Sequence, residues 1–376
     1  ELKEKLQAYK ESLSREEIEK LVADTKHLQE YQEEPSSQED LEKIPMLTRA
    51  DISREIAPIY NEEMKIADIP TVFHEIETNG IGYLDLMFDL SDVPEKDLPM
   101  VGLLQAVLGI IDTEHYEYGE LFNEINRHTG GIGTSLELYP DVTKVKEKEF
   151  KATFEIKGKA LYGQIPFAIR MMKEILTASK LDDEKRLKEI LSMTKTRLQD
   201  RFLSVGHSAA ALRAMSYKSP ISKFKDTTNG IEYYQNIREM EEHFEEKKEE
   251  ITNGLKALSE LLFRKGNVMI SYTASKEGLA VLEEEIGSLK EALYPERTPE
   301  SRCILHCEKK NEGFKTSSKV QFAAKAGNFI DAGEEYNGAL QILKVIMSYE
   351  YLWINIRVKG GAYGCMSNFN RIGEGY

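Results

Sequence analysis

The stretch Leu352-Trp-Ile-Asn-Ile-Arg-Val-Lys-Gly-Gly-Ala-Tyr-Gly364 joins an apolar helical run to a double glycine. Two glycines after a helix allow positive φ angles and a sharp turn into extended chain. The pattern predicts Arg357 on the last helical turn, a turn at Gly360 and Gly361, and Tyr363 at the start of a strand. A guanidinium and a phenol brought together can hold a carbonyl oxygen and stabilise negative charge on it. The alternative is an arginine bonded to helix C-terminal carbonyls and a tyrosine half buried in a sheet.

A second copy of this pattern lies earlier in the chain. Leu121-Phe-Asn-Glu-Ile-Asn-Arg-His-Thr-Gly-Gly131 aligns with the stretch above, so that Arg127 falls on Arg357 and both copies contain a double glycine. Each copy follows a predicted strand and a buried helix, which indicates a duplicated domain. Where the second copy has Tyr363 the first has Gly133, so the shared fold does not require the phenol. This favours a role for Tyr363 in function.

The rest of the chain predicts an α+β fold, with a mainly antiparallel sheet packed by helices. Asn79-Gly80 separates two alternating stretches, which predicts a β-hairpin of residues 71–78 and 81–90. Strands and helices then occur in blocks without strict βαβ alternation, which favours α+β over a doubly wound sheet. We predict further strands over 131–138, 149–157 and 267–273, and helices over 98–111, 118–127, 162–178, 182–203, 207–215, 239–263 and 276–293, with another starting at 231.

Changes in hydrophobic periodicity divide the chain into three predicted parts. Residues 1–58 form a charged helical hairpin linker without a core of its own, which contains the capping box Ser14-Arg-Glu-Glu17. Residues 59–298 form one α+β domain. Residues 299–376 form the first part of another, truncated one, and we expect the chain to be a piece of a longer protein. In this last part we predict strands over 302–307 and 318–324 and a helix over 336–351.

Composition and charge disfavour several classes of protein. Apolar residues make up 41% and charged residues 31% of the chain, as in ordinary globular proteins, and no apolar run reaches the roughly 18 residues of a membrane span. The formal net charge of −15 disfavours nucleic acid as a partner. Three cysteines suit a reducing compartment. Cys303, His306 and Cys307 fall in a strand-like stretch without a second ligand pair, which disfavours a zinc site there.

Three stretches occur in a recognisable order. The first is Leu13-Ser-Arg-Glu-Glu-Ile-Glu-Lys-Leu-Val22, continuing through Ile44-Pro-Met-Leu47. The second comprises Thr78-Asn-Gly-Ile-Gly-Tyr83 and Arg127-His-Thr-Gly-Gly-Ile132, and the third is Arg357-Val-Lys-Gly-Gly-Ala-Tyr-Gly-Cys365. They resemble, respectively, the helical connector, the third homologous domain and the fourth homologous domain of presequence proteases (peptidasomes), a branch of the pitrilysin/insulinase superfamily of zinc metallopeptidases. The resemblance is to the C-terminal half and spans nearly the whole chain.

The resemblance implies an endopeptidase of four homologous domains, whose two halves close over a chamber and cut short unstructured peptides. Zinc is then bound by a His-x-x-Glu-His helix in the N-terminal half, so this chain alone would bind no zinc and be inactive. Arg357 and Tyr363 would reach the scissile carbonyl and stabilise the oxyanion, with Gly360 and Gly361 as a structural turn. The implied partners are the N-terminal half of the same polypeptide and peptide substrates. From charge and composition we expect no nucleic acid or membrane as partner, and we expect a cytoplasmic location, with an organelle matrix as the alternative.

The histidines of this chain depart from the catalytic pattern of that family. None of the seven belongs to a His-x-x-Glu-His sequence: His27, His74, His115, His128, His207, His243 and His306. A second hypothesis therefore stays open, a non-catalytic scaffold or assembly subunit of the same fold that has lost zinc. Retention of Arg357 and Tyr363 favours the enzyme, because a scaffold does not need the pair. A His-x-x-Glu-His motif upstream would support the enzyme, whereas a native start near Glu1 would support the scaffold.

Overall fold

The chain divides into two units, residues 1–59 and residues 60–376. A computed structural model describes residues 2–34, 37–56, 58–298 and 302–376. Helices and a mainly antiparallel sheet make up the second unit, which confirms the predicted α+β class.

The first unit is helical, with α1 (Leu2–Ser12), α2 (Arg15–Glu33), α3 (Gln38–Glu42) and a 3₁₀ turn at Arg49–Asp51. The predicted capping box forms before α2. The Ser14 hydroxyl accepts from the Glu17 backbone N–H at 3.3 Å, and the Ser14 backbone N–H donates to the Glu17 carboxylate at 2.8 Å. These bonds satisfy two N–H groups that the helix leaves without partners. None of the described side chains in this unit is fully buried. The predicted break after Glu33 falls partly on residues 35 and 36, outside the described residues.

A six-stranded sheet organises the second unit. Its strand order is β1-β2-β6-β3-β5-β4, and within it β2 and β6 run parallel while the other neighbours are antiparallel. The three further strands predicted for this part of the chain are confirmed, whereas β1, a charged edge strand, was not predicted. The strands are β1 (Glu62–Ile66), β2 (Ile69–Glu75), β3 (Ile81–Asp89), β4 (Ile132–Pro140), β5 (Phe150–Leu161) and β6 (Val268–Ala274).

The predicted hairpin about Asn79-Gly80 is wrong. The turn itself forms, with φ of +53° at Asn79 and +81° at Gly80. The strands that flank it do not pair, because β6 lies between them and pairs with both. Tyr272 of β6 is opposite Phe73 of β2 on one side and Leu84 of β3 on the other. A local turn signal carries no information about a strand that arrives much later in the chain.

The predicted helices of the second unit form, with one addition. The prediction missed α9, although Ser219 caps it and Pro220 occupies its first turn, a common start signal. The predicted helix over 239–263 is interrupted at His243, which ends one helix and begins the next. The helices are α4 (Leu98–Val107), α5 (Tyr118–His128), α6 (Ile165–Thr177), α7 (Glu184–Ser204), α8 (Gly206–Ser216), α9 (Pro220–Asn229), α10 (Ile231–Glu242), α11 (Phe244–Leu262) and α12 (Lys276–Ala292).

The core lies between one face of the sheet and these helices. Successive residues of a strand face opposite sides, and Leu84, Leu86 and Phe88 of β3 and Phe154 and Ile156 of β5 are all buried. Helices α4, α6, α11 and α12 contribute further apolar side chains to the same cluster. Burial of this apolar face against the helices is the main force that holds the unit together.

Residues 302–326, all of them described, form neither a helix nor a strand. The strands predicted over 302–307 and 318–324 are therefore wrong. Alternation favours a strand only where a neighbouring strand can pair with it, and here most side chains are exposed instead. One backbone bond, from the Cys303 N–H to the Ser91 carbonyl at 2.7 Å, joins this segment to the loop after β3.

A charged cluster anchors the same segment to the helices. Arg213 of α8 is buried and forms a two-pronged bond with the Glu312 carboxylate, at 2.8 Å from Nε and 3.0 Å from Nη2. The Arg213 Nη1 also donates to Asp226 of α9 at 2.6 Å. The bond to Arg213 lowers the pKa of Glu312 to about 2.

The last part of the chain contains a small sheet and one long helical run. Two-residue strands β7 (Gly327–Asn328) and β8 (Glu374–Gly375) pair antiparallel. Between them α13 (Ala339–Ile346) continues directly into the π-helical segment Met347–Val358. The predicted helix over 336–351 thus forms, but it begins later and extends further than predicted.

Candidate functional site

A glycine turn ends the π-helical segment. The Lys359 N–H donates to the Ile354 carbonyl at 3.0 Å, which is the i→i+5 spacing of a π-helix. The Gly361 N–H then donates to the Arg357 carbonyl at 2.9 Å, and Gly361 has φ of +71°, a conformation that glycine adopts without strain. At Gly360 a Cβ atom would lie 2.5 Å from the Ile356 carbonyl oxygen, so a larger residue is excluded there.

Arg357 lies on the last turn of this segment, where its guanidinium is held on two sides. Its Cζ lies 3.8 Å from the centre of the Trp353 ring, one turn earlier. Its Nε donates to the backbone carbonyl of Tyr363 at 3.0 Å. Within the described part of the chain, no carboxylate forms an ion pair with Arg357. The exposed guanidinium therefore keeps donors and a full positive charge available to a ligand.

Tyr363 lies in a loop, and the strand predicted to begin there does not form. Its side chain is 92% exposed, and the contact with Arg357 is made by its backbone carbonyl. The structure thus brings the two predicted residues together through the main chain, with the phenol directed into solvent. Neither residue lines the cavity beside β4 and α8 or the cavity beside Glu95 and His306.

The first copy of the pattern differs in charge. Helix α5 carries Arg127, and Gly131 has φ of +107°, so the same helix–glycine turn occurs before β4. However, the Arg127 Nη1 donates to the Glu124 carboxylate at 2.6 Å. The arginine of the first copy is therefore compensated by an acid, whereas Arg357 of the second copy has no acidic partner in the part of the chain that the structure describes.

Trp353 is the contact that sequence reasoning missed. Its spacing of four residues from Arg357 was visible in the opening stretch, and side chains at that spacing share one face of a helix. An indole ring stacked against a guanidinium holds that group in one orientation without neutralising its charge.

The residues described by the structure hold no group of three or more His, Cys, Asp and Glu side chains that could bind a metal ion. His306 is paired through Nδ1 with the Glu95 carboxylate at 2.7 Å. Burial raises the pKa of the Cys303 thiol to about 11 and also raises that of Cys307. A raised thiol pKa opposes formation of the thiolate that zinc requires.

Comparison with known proteins defines first the fold and then the family. The fold is shared with a conserved protein from Enterococcus faecalis V583, at a TM-score of 0.54 and 14% identity, covering 84% of this chain and 74% of that one. Residues 1–240 match the sequence model of the region associated with peptidase family M16, subfamily C, and residues 311–375 match the "PreP C-terminal domain". The chain belongs to this peptidase-associated family and corresponds to the C-terminal half of an M16 family peptidase.

Two relatives show how much of a longer protein this chain represents. It is 37% identical over 376 residues to protein HypA of Clostridium perfringens, covering 100% of this chain and 38% of that protein. It is 26% identical over 372 residues to presequence protease 1, chloroplastic/mitochondrial, of Arabidopsis thaliana, covering 97% of this chain and 34% of that one. The chain thus spans little more than a third of the length of either relative. No helix in the described part of the chain is long and apolar enough to cross a membrane.

Proposed function

We propose that this chain is the C-terminal half, which does not bind the zinc ion, of a zinc-dependent endopeptidase that degrades short unstructured peptides. The observation that carries the proposal is the uncompensated Arg357, stacked on Trp353 and bonded to the chain at Tyr363. These residues lie within the region that matches the C-terminal domain of presequence proteases. The relation to presequence protease 1 supports a peptide substrate.

The proposed chemistry assigns one role to each side chain. Zinc, held by residues outside this chain, would supply an activated water. The Arg357 guanidinium and the Tyr363 phenol each donate to the carbonyl oxygen of the scissile bond, which becomes an oxyanion as the tetrahedral intermediate forms. Donors aimed at developing charge are among the strongest contributions to catalysis. The exposed Tyr363 side chain is free to turn towards a bound peptide.

The proposal includes the division of the chain that its sequence predicts. Residues 1–58 would be the linker between the two halves of the enzyme, residues 59–298 its third homologous domain, and residues 299–376 the N-terminal part of its fourth. The second hypothesis, a non-catalytic scaffold of the same fold, is not favoured. The named relatives of this chain include several presequence proteases, and the arginine–tyrosine pair is present here.

The test is peptide cleavage by the full-length protein carrying Arg357→Ala or Tyr363→Phe. Loss of an oxyanion donor should lower kcat by about 100-fold with little change in KM. Arg127→Ala is the matched control, since Arg127 occupies the same place in the first copy and should leave cleavage within about twofold of the wild type, the range of surface changes away from a site. Cleavage by the Arg357 and Tyr363 variants at the control level would contradict the proposed roles.

A further inference from the structure

A cavity of about 420 Å³ lies between the edge strand β4 and helices α4, α7, α8 and α9. Its walls are mainly apolar, and its volume is that of a pocket for a small organic ligand. It lies apart from Arg357 and Tyr363 in the sequence and shares no lining residue with their turn. The apolar side chains of its wall include Leu136, Leu138, Val205, Ala209, Leu212 and Phe224.

Two cations, Arg201 of α7 and Lys225 of α9, line the same cavity. Within the described residues, neither forms an ion pair with a carboxylate, and no Asp or Glu lines the cavity. Neighbouring cations behave differently. Lys195 lies 2.6 Å from Glu241, and Lys223 lies 2.7 Å from Glu232. The chain has a net charge of −15, so a cavity lined by cations and by no acids stands apart from the rest of the molecule and favours anionic ligands.

The Arg201 guanidinium is fixed in place by neutral groups. Nη1 donates to the Asn229 side-chain oxygen at 3.0 Å, and Nη2 donates to the backbone carbonyl of the same residue. Burial lowers the pKa of Arg201, and the charge of Arg197 lowers it further. A second positive charge close by, with no acid paired to either arginine among the described residues, makes an incoming anion favourable.

We propose that this cavity binds a small amphipathic anion, with one carboxylate on Arg201 and Lys225 and an apolar body against the leucine-rich wall. The guanidinium can hold a carboxylate through parallel N–H bonds, while the lysine adds a flexible point charge. The apolar wall rewards a hydrocarbon body and offers nothing to a small hydrophilic anion. The site is independent of the peptidase role proposed above.

Two sources share this chemistry, a medium-chain fatty acid and the C-terminal carboxylate of a short apolar peptide. Isothermal titration of the full-length protein can separate them with octanoate and tri-leucine as probes. Octylamine, octan-1-ol and tri-leucine amide are the matched compounds without the negative charge. We expect at least one of the two carboxylates to bind, and its uncharged or cationic counterpart to bind at least about tenfold more weakly. Binding of octanoate alone assigns the fatty acid, and binding of tri-leucine assigns the peptide terminus.

Two variants place the ligand in the cavity. Arg201→Gln keeps hydrogen-bonding capacity but removes the charge, and should weaken binding about tenfold. Ala209→Trp should abolish binding by filling the cavity. Arg238→Gln removes an exposed arginine from the neighbouring helix α10, outside the cavity, and should change nothing.

Three results would overturn the site. One is the absence of binding by both carboxylates, and another is equal binding of octylamine and octanoate. The third is a carboxylate affinity that Arg201→Gln leaves at the level of Arg238→Gln, which would place the ligand elsewhere on the protein.

Discussion

The Arg357 guanidinium is accessible to a ligand because neutral groups hold it in place and no carboxylate among the described residues pairs with it. Trp353 supports the guanidinium from one side, and the chain at Tyr363 accepts one of its N–H groups. Arg127, in the equivalent place, is neutralised by Glu124. The two copies of the pattern therefore differ in whether a carboxylate offsets the charge of the arginine. A substrate oxygen that develops negative charge would interact more strongly with the arginine whose charge is not offset.

Removal of the indole tests whether the stacking matters. Trp353→Ala should lower kcat/KM for peptide cleavage by about threefold to tenfold, because the guanidinium loses its support and adopts other rotamers. Trp353→Phe should retain more activity, since it keeps an aromatic face. Tyr349→Ala, an exposed aromatic one turn earlier on the same segment, is the control. Equal effects of Trp353→Ala and Tyr349→Ala would show that the stacking has no part in catalysis.

At the scale of single residues, local patterns were predicted well and longer contacts were not. The capping box at Ser14 involves residues three apart, so the sequence contains the whole motif. The helix end at Arg357 and the turn after it follow from the double glycine. The conformation of Tyr363 was mispredicted because its predicted strand needed a neighbouring strand, about which the local sequence is silent.

Among the elements, segment 302–326 is held by side-chain contacts more than by backbone pairing, and Glu312 is the anchor with two charge-assisted bonds. Glu312 meets the buried Arg213 through two bonds, and a bond from the Tyr217 hydroxyl at 2.6 Å reaches the same carboxylate. The anchor joins this segment to α8 across a long stretch of intervening chain. Its contribution to stability should depend on pH because Glu312 must be ionised to form it.

Glu312→Gln should lower the free energy of unfolding by about 1–3 kcal/mol at neutral pH, since it weakens charge-assisted bonds to Arg213. The ordinary pKa of 4.5 falls to about 2 in the folded state, so the stabilising effect is fully present above about pH 4.5. It is lost as pH falls towards 2, and the wild type and the variant should converge there. Urea unfolding of both proteins between those pH values gives the measurement.

Glu308→Gln is the control for this pH dependence. Glu308 lies on the same segment, but its side chain is 78% exposed and its carboxylate lies 3.7 Å from the Lys310 ammonium. The change should alter stability by less than about 1 kcal/mol. A difference between wild type and Glu312→Gln that stays constant with pH would mean that the carboxylate charge is not what anchors the segment.

Element prediction failed where pairing is non-local. β6 enters the sheet between β2 and β3, although a turn joins those two strands directly. Tyr272 of β6 is fully buried, and its ring stacks against that of Phe73 of β2 with 6.4 Å between the centroids, which stabilises this arrangement. No periodicity within β2 or β3 distinguishes a direct neighbour from an inserted one. The missed α9 is different, because the Ser219-Pro220 start signal was present in the sequence.

For the whole molecule, the family matches identify the chain as the C-terminal half of an M16 family peptidase. The amino-acid sequence contains no His-x-x-Glu-His motif, as expected for the C-terminal half of an M16 peptidase, the region that the family models match. The proposed enzyme therefore divides its chemistry between two stretches of chain, with the metal on one and two hydrogen-bond donors on the other.

This division predicts complementation. The purified chain should bind less than about one zinc per ten molecules and cleave no peptide, because four-coordinate zinc needs at least three protein ligands. Addition of the separately produced remaining parts of the full-length protein should restore cleavage. The control is the same mixture with Arg357→Ala in this chain, which should be about 100-fold less active. Peptide cleavage by the chain alone would contradict the division.

Gly361 has a consequence for the handedness of the site. Its φ of +71° is unfavourable for L-amino acids with a side chain, yet no atom of the described residues, apart from the adjoining ones, lies within 4 Å of where a Cβ would be. The obstacle to substitution is thus chirality and not space. A D-alanine introduced at Gly361 by chemical ligation would fit this turn, whereas L-alanine would be strained. At this one residue between Arg357 and Tyr363, the backbone adopts the mirror image of the conformation that L-amino acids prefer.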